Sequence, residues 1–447
     1  MKIMDAYGAK ANRGYGKMFP LLGLLLAAIL AFAACGEPSA KQEAGGQELP
    51  CYNLEQQNMT DAESLAKQDR LAEPDHASEK EPDKEAESRA AALQTQRSLI
   101  SVGTYVSAAI THDGALWAWG QVEELGLGSS PVQLGTDKDW VSVTAGVSCV
   151  LAIKADASLW SWGRNFYGML GDGTTYARDV LVQIGKDGDW ASVAAGEFHI
   201  VAIRTDGSLW AWGINSGAEL GIGEYGRNNR VLEPVQVGTD RDWARLSASS
   251  SGTAAIKTDG SLWVWGRNTG GWFGDGTIGD RYTPRQAVPM RIGADIDWAS
   301  IATDGDHTVA IKADGSLWAW GANRTGQLGD GSTTSRLEPV QIGAETDWAA
   351  VTAGNGFTIA MKGDGSLWGW GFNGQGQLGD GAGRRDQHAP AQIGTDTDWL
   401  YAAAGGWRTV AMKDDGSIWS WGFAGEGWTG LIGDGTTENS YYPVRIK

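Results

Sequence analysis

The chain has 447 residues and a formal net charge of −18. That length is enough for two or three average domains, and such acidity repels a phosphate backbone, which excludes nucleic acid as a partner. Three cysteines and five histidines without metal-ligand spacing give no ground for a metal site or any other cofactor.

Lys2, Lys10, Arg13 and Lys17 precede an apolar run from Met18 to Ala34. The run is too short for a transmembrane anchor, and residues 1–35 read as a signal peptide. It closes on Phe32-Ala33-Ala34-Cys35-Gly36, which resembles a bacterial lipobox. The resemblance implies that Cys35 is lipidated and becomes the mature N-terminus, although Phe32 departs from the usual aliphatic residue. The other reading is an ordinary cleaved signal with an incidental cysteine. Residues 36–96 are an acidic, low-complexity stretch with few large apolar side chains, expected to be a disordered tether. About 60 flexible residues span roughly 45 Å, which would hold a folded domain clear of a membrane. Cys51 lies in this tether and Cys149 in an expected core strand. They read as unpaired thiols, although an exported protein could bridge them.

From residue 97 onward the chain repeats. Trp-x-Trp-Gly recurs at Trp117, Trp160, Trp210, Trp263, Trp318, Trp368 and Trp419 (the first indole of each pair). An Asp-Trp tryptophan (140, 190, 243, 298, 348, 399) stands twenty residues before each motif except the first, where Arg97 takes its place. A period near fifty residues marks stacked supersecondary units, here about 97–139, 140–189, 190–242, 243–297, 298–347, 348–398 and 399–447. In the third unit, 189–196 and 199–204 read as strands, Asp206-Gly207 as a hairpin turn, and 208–213 as a third strand. A long Gly/Asn loop leads to a short fourth strand at 235–237. Four antiparallel strands per unit and seven units predict an all-β, seven-bladed propeller over 97–447. Whether the ring closes blade against blade or by sharing strands between its ends is left open.

The run Ala194-Ala195-Gly196-x-x-His199-x-x-Ala202-Ile203-x-x-Asp206-Gly207-x-x-x-x-Trp212-Gly213 resembles the regulator of chromosome condensation repeat. So do the Trp-Gly-x-Asn-x-x-Gly-Gln-Leu-Gly-Asp-Gly segments at 320–331 and 370–381. The resemblance covers about 97–447 and implies a seven-bladed propeller. It fixes no single function: the family includes a nucleotide-exchange factor for a small GTPase, a plant UV-B photoreceptor and secreted bacterial proteins that resemble inhibitors of β-lactamases. The family histidine appears only at His199 and His307, while Val106, Cys149, Gly252, Phe357 and Arg408 fill the matching positions. The first repeat lacks the Asn-Gly-Gln-Leu-Gly loop, and no inserted wedge of the exchange-factor kind is visible.

Strand alternation puts both indoles of a Trp-x-Trp pair on one face, where they read as packing between blades rather than as a chromophore. Asp137-x-Asp139-Trp140 and its five counterparts read first as turn chemistry and second as calcium ligands. No catalytic constellation is present, so the expectation is not an enzyme. Strand direction places the turn after strand one and the loop after strand three at the same end. That end collects Tyr105, Phe198, Trp272, Tyr282, Trp407 and Trp428 with Arg227, Arg230 and Arg281, the residue types that interface hot spots favour. The reading is an exported, lipid-anchored, monomeric propeller that binds a protein partner or a surface glycan through this face. The alternative is guanine-nucleotide exchange, against which the export signal argues.

Overall fold

The computed structural model describes residues 98–447, except 227, 251, 280–284 and 426–429. Among the described residues the strands form seven four-stranded antiparallel sheets, each built from four consecutive strands. The blades span 100–133, 140–184, 190–236, 243–292, 298–341, 348–392 and 399–445. First strands neighbour one another in succession, and that of blade 7 (Trp399–Gly405) lies against that of blade 1 (Ile100–Val102). The ring therefore closes blade against blade, with no strand exchanged between its ends.

The fourth strands are longer than their sequence suggests. In blade 3 it runs Arg230–Gln236, not only 235–237. Pro234 hides it: a missing N–H would break an inner strand but is tolerated on an outer edge. Blade 1 keeps only Val132–Gln133.

Seven apolar clusters hold the blades together, one at each seam. Each blade offers Leu or Ile and a small residue or Val from strand three on one face and the indole pair on the other. At the seam of blades 3 and 4, Val201, Ile203, Leu209 and Ala211 meet Trp243, Ala255 and Trp265. The second indole of the pair is buried, and in blades 3 to 7 it donates to a loop carbonyl of the preceding blade. Trp212 Nε1 reaches Met169 O at 2.8 Å, Trp265 reaches Glu219, Trp320 reaches Trp272, Trp370 reaches Gln327 and Trp421 reaches Gln377. The loop comes this close because a glycine follows: at Gly329 (φ 81°) a Cβ would sit 2.7 Å from Trp370 Nε1.

The first indole of each pair is half-buried. In blades 2 to 7 it packs against the seam cluster, as the sequence suggests, and also edge to face on the Asp-Trp indole of its own blade, as Trp263 does on Trp243 at 5.9 Å. A cation closes this cage. Lys257 Nζ lies 4.8 and 4.7 Å from the two ring centroids and 2.6 and 3.0 Å from Asp240 and Asp242. Burial works to lower the ammonium pKa, and the two carboxylates outweigh it and raise it. Lys154, Arg204, Lys312, Lys362 and Lys413 repeat the arrangement. The turn acids are thus engaged by a cation of their own blade. Hairpin aspartates perform the backbone bonding expected of the turn acids: Asp259 Oδ1 accepts from Ser261 N and Oγ, and that hydroxyl accepts from Trp263 Nε1 at 2.9 Å.

Blade 1 lacks the serine of this relay. Ala115 stands in its place and Trp117 Nε1 has no partner among the described residues, while Lys447 Nζ covers the Trp117 ring at 3.2 Å. Ala115→Ser is expected to raise stability by about 1 kcal/mol, the net value of a restored hydrogen bond, read as an upward shift of the thermal midpoint.

His199 and His307 are buried, with Nε2 3.0 Å from Thr253 Oγ1 and 3.2 Å from Thr358 Oγ1 of the following blade. Desolvation pushes both down to about 4. The unfolded chain takes up these protons first, so their contribution is complete above the unfolded value of 6.5 and is lost as pH falls toward 4. Each costs about 2 kcal/mol at pH 5. Asp304, Glu197 and Glu219 have raised values and act in the opposite sense. The comparison is therefore with His199→Gln/His307→Gln, whose urea midpoint should fall less between pH 7 and pH 5 than that of the wild type.

Candidate binding face

The turn after strand one and the loop after strand three do share an end. Gln121 N bonds Tyr105 O at 2.7 Å, Ile214 N bonds Phe198 O at 2.9 Å and Phe423 N bonds Trp407 O at 2.9 Å. The first strands are innermost, so their turns stand nearest the axis.

Several expected aromatics meet here. Trp407 of blade 7 is 39% exposed and Tyr105 of blade 1 is 41% exposed. Trp407 rests edge to face on Phe423 at 5.5 Å. Phe198 of blade 3 is half-buried against Tyr167 at 5.1 Å. Sequence reasoning missed the ring between them: Phe166 of blade 2, 56% exposed, with the Arg164 guanidinium 5.7 Å from its centroid. Arg164 in turn pairs with Glu124 in the loop of blade 1. The signal was available, since Phe166 follows the loop asparagine Asn165 where the other repeats carry Ser216, Thr269, Arg324 and Gly374. Consecutive blades 7, 1, 2 and 3 therefore carry an arc of rings.

Trp272 does not belong to it. The side chain is 0% exposed, and its Nε1 donates to Arg267 O at 2.8 Å. It fills the space that a histidine occupies in blades 3 and 5, because blade 4 has Gly252 at that position. A Cβ there would come 2.9 Å from the Trp272 ring. Its carbonyl accepts from Trp320 Nε1 and Thr308 Oγ1, so it is a seam residue. Arg230 is exposed but begins the outermost strand of blade 3, away from the axis. Arg227, Arg281, Tyr282, Trp428 and Cys35 lie outside the described residues, as does Cys51. Cys149 is a buried thiol, pushed up to about 12 by desolvation.

A second feature of this end is carboxylic. Asp304 stands where the other blades have Gly103, Gly146, Gly196, Ser249, Gly354 and Gly405. That position is crowded: a Cβ on Gly405 would lie 2.2 Å from Val102 O of the next blade. The turn of blade 5 is correspondingly looser, with Asp304 N 3.4 Å from His307 O against 2.8 Å for Gly196 N to His199 O. Burial, then Asp306, then Glu197 raise the Asp304 carboxyl well above the usual range. No ion pair engages these three acids among the described residues, and no described group of His, Cys, Asp and Glu is arranged to hold a metal ion.

Trp272→Ala is expected to cost about 3–5 kcal/mol, the range for a large buried ring, read as a lowered urea midpoint. An unchanged midpoint would return Trp272 to the list of surface candidates.

Models of the regulator of chromosome condensation (RCC1) repeat match residues 156–203, 314–361 and 364–412, and a second model of the repeat matches 190–217, 299–327 and 348–377. The RCC1 domain-containing protein RUG3, mitochondrial, of Arabidopsis thaliana is 30% identical over 241 residues, 51% of this chain and 53% of that protein. The human regulator of chromosome condensation is 31% identical over 112 residues, 24% of this chain and 25% of that protein. The aligned parts span 7% to 53% of the first such relatives' own lengths. Yeast RCC1 (Prp20), solved bound to Kap60, superposes with a TM-score of 0.66 at 20% identity, covering 84% of this chain and 91% of that one. Repeat models and blade geometry agree: the chain is a seven-bladed propeller that carries regulator of chromosome condensation repeats.

Proposed function

We propose that this propeller is a non-enzymatic binding module that holds a protein partner against the aromatic arc at one end of the ring. The observation that carries the reading is the exposure of Trp407, Tyr105 and Phe166 on three consecutive blades. Large rings are costly to leave in water, and grouped exposed rings mark interaction surfaces. The rings are also buttressed. Phe423 backs Trp407, Arg164 backs Phe166, and rings held before binding lose little entropy on binding. Yeast RCC1, of the same fold, is itself found with a protein partner, Kap60.

The leader and tether complete the proposal. Lipid attachment at Cys35 would anchor the chain at the cell envelope, with the propeller outside the cytoplasm. The test uses the full-length protein to capture partners from envelope extract, comparing wild type with Tyr105→Ser/Phe166→Ser/Trp407→Ser. The variant should lose its partner about a hundredfold, the size of two to three kcal/mol of hot-spot contacts, while keeping its thermal midpoint. Unchanged capture removes the reading. Competition by soluble envelope polysaccharide would transfer the site to a glycan, and recovery of a small GTPase in its nucleotide-free form would favour the exchange-factor alternative.

A further inference from the structure

Six of the seven seams are crossed by the chain itself, because the last strand of one blade leads to the first strand of the next. The seam between blades 7 and 1 has no such link. It also lacks a bond that five other seams possess: Trp119, the second indole of blade 1, is buried with no acceptor for its Nε1 among the described residues. Its backbones are nonetheless packed as tightly as elsewhere, since a Cβ on Gly433 would lie 2.7 Å from the Trp119 ring.

Arg408 supplies what is missing. It begins strand two of blade 7 (Arg408–Lys413), the position of His199 in blade 3 and His307 in blade 5. Those histidines make one bond each, to Thr253 and Thr358 of the following blade. Ser107 is the corresponding residue of blade 1, and Arg408 Nε donates to its Oγ at 3.1 Å. The guanidinium then goes further than an imidazole can. Nη1 donates to Thr104 O at 2.9 Å, and Nη2 donates to Gly103 O at 2.8 Å and Val106 O at 3.1 Å. The side chain is 1% exposed. Three carbonyl dipoles and a hydroxyl surround the cation, a match for the fixed fork of arginine that lysine does not provide.

The three carbonyls belong to the turn that carries Tyr105, and Arg408 itself follows Trp407. We propose that Arg408 is a positioning residue for recognition: it clasps blade 7 to blade 1 and so fixes the exposed rings of Trp407 and Tyr105 relative to each other. The recognition part of this proposal rests on the aromatic-arc reading above. The clasp part stands on the seam geometry alone.

Three full-length variants test it by hydrogen exchange, thermal midpoint and capture from envelope extract. Arg408→His places the residue of blades 3 and 5 at this seam. Arg408→His/Ser107→Thr remakes the His–Thr pair of those seams. Arg408→Lys keeps the charge without the fork and provides a milder change should histidine prevent folding. In Arg408→His and Arg408→Lys, amide exchange at 103–107 and 405–409 should rise about tenfold or more, with blades 3 to 5 unchanged, as expected of a local opening. Adding Ser107→Thr should recover part of the midpoint, while 103–106 stays fast and capture stays weak, because the carbonyl bonds are not remade.

Exchange that rises uniformly over all blades, or not at all, overturns the clasp. So does full protection of 103–106 in the double variant. Seam-limited exchange with undiminished capture overturns the positioning role. Undiminished capture by the triple serine variant strikes the aromatic-arc reading alone, and the exchange measurement still decides the clasp.

Discussion

The bond from an indole to the loop carbonyl of the preceding blade is the interaction on which the architecture depends. It links two things a blade cannot supply for itself. The sheet needs a cover for its apolar face, and the loop after strand three needs donors for carbonyls that are turned inward. One tryptophan meets both needs, its ring covering the neighbour's Leu/Ala face while its N–H satisfies the neighbour's loop. The threonine of strand two adds a second donor to the same carbonyl, as Thr358 and Trp370 do on Gln327 O. Five of the six seams that the chain crosses have this bond, and the seam that closes the ring is completed by other means.

Much of this was legible in the sequence. The period gave seven units, and alternation within Trp-x-Trp placed both rings on one face. Alternation could not separate their fates, since i and i+2 are equivalent in a strand. What separates Trp263 from Trp265 is position along the blade, one ring beside the Lys257 cation and the other beside the loop of the preceding blade. That pairing of distant residues has no local signal. The same holds for Trp272. As an indole outside the repeat pattern it looked like surface. Its burial follows from Gly252, twenty positions earlier at the start of strand two, which vacates the space the ring fills. Read together across repeats, the two substitutions compensate in volume, and only the fold shows that they face one another.

Departures from the repeat proved more informative than the repeat. Ala115 and Asp304 replace the residue that most blades use, Gly252 and Arg408 stand at a position where the blades differ, and each of the four changes the hydrogen bonding around it. Ala115 orphans an indole, Gly252 admits one, Asp304 loosens a turn and Arg408 holds one. In a solenoid-like fold, whose units contact only their neighbours, such a change stays local and leaves the remaining seams intact.

The two ends of the ring differ for the same reason. At the hairpin end, the acids before strand one and the cation at the end of strand two are both part of the repeat, so they recur together, two carboxylates to one cation, in six cages. That end presents carboxylates that are already ion-paired and lysines that are only about a tenth exposed (Lys257, 9%). At the opposite end the repeat contributes mainly backbone and glycine, and each blade is free to vary its turn. The rings of Tyr105, Phe166 and Trp407 and the acids Glu197, Asp304 and Asp306 all arise from that freedom. Recognition is therefore expected where the repeat is silent, on loops held by a scaffold whose own chemistry is internally satisfied.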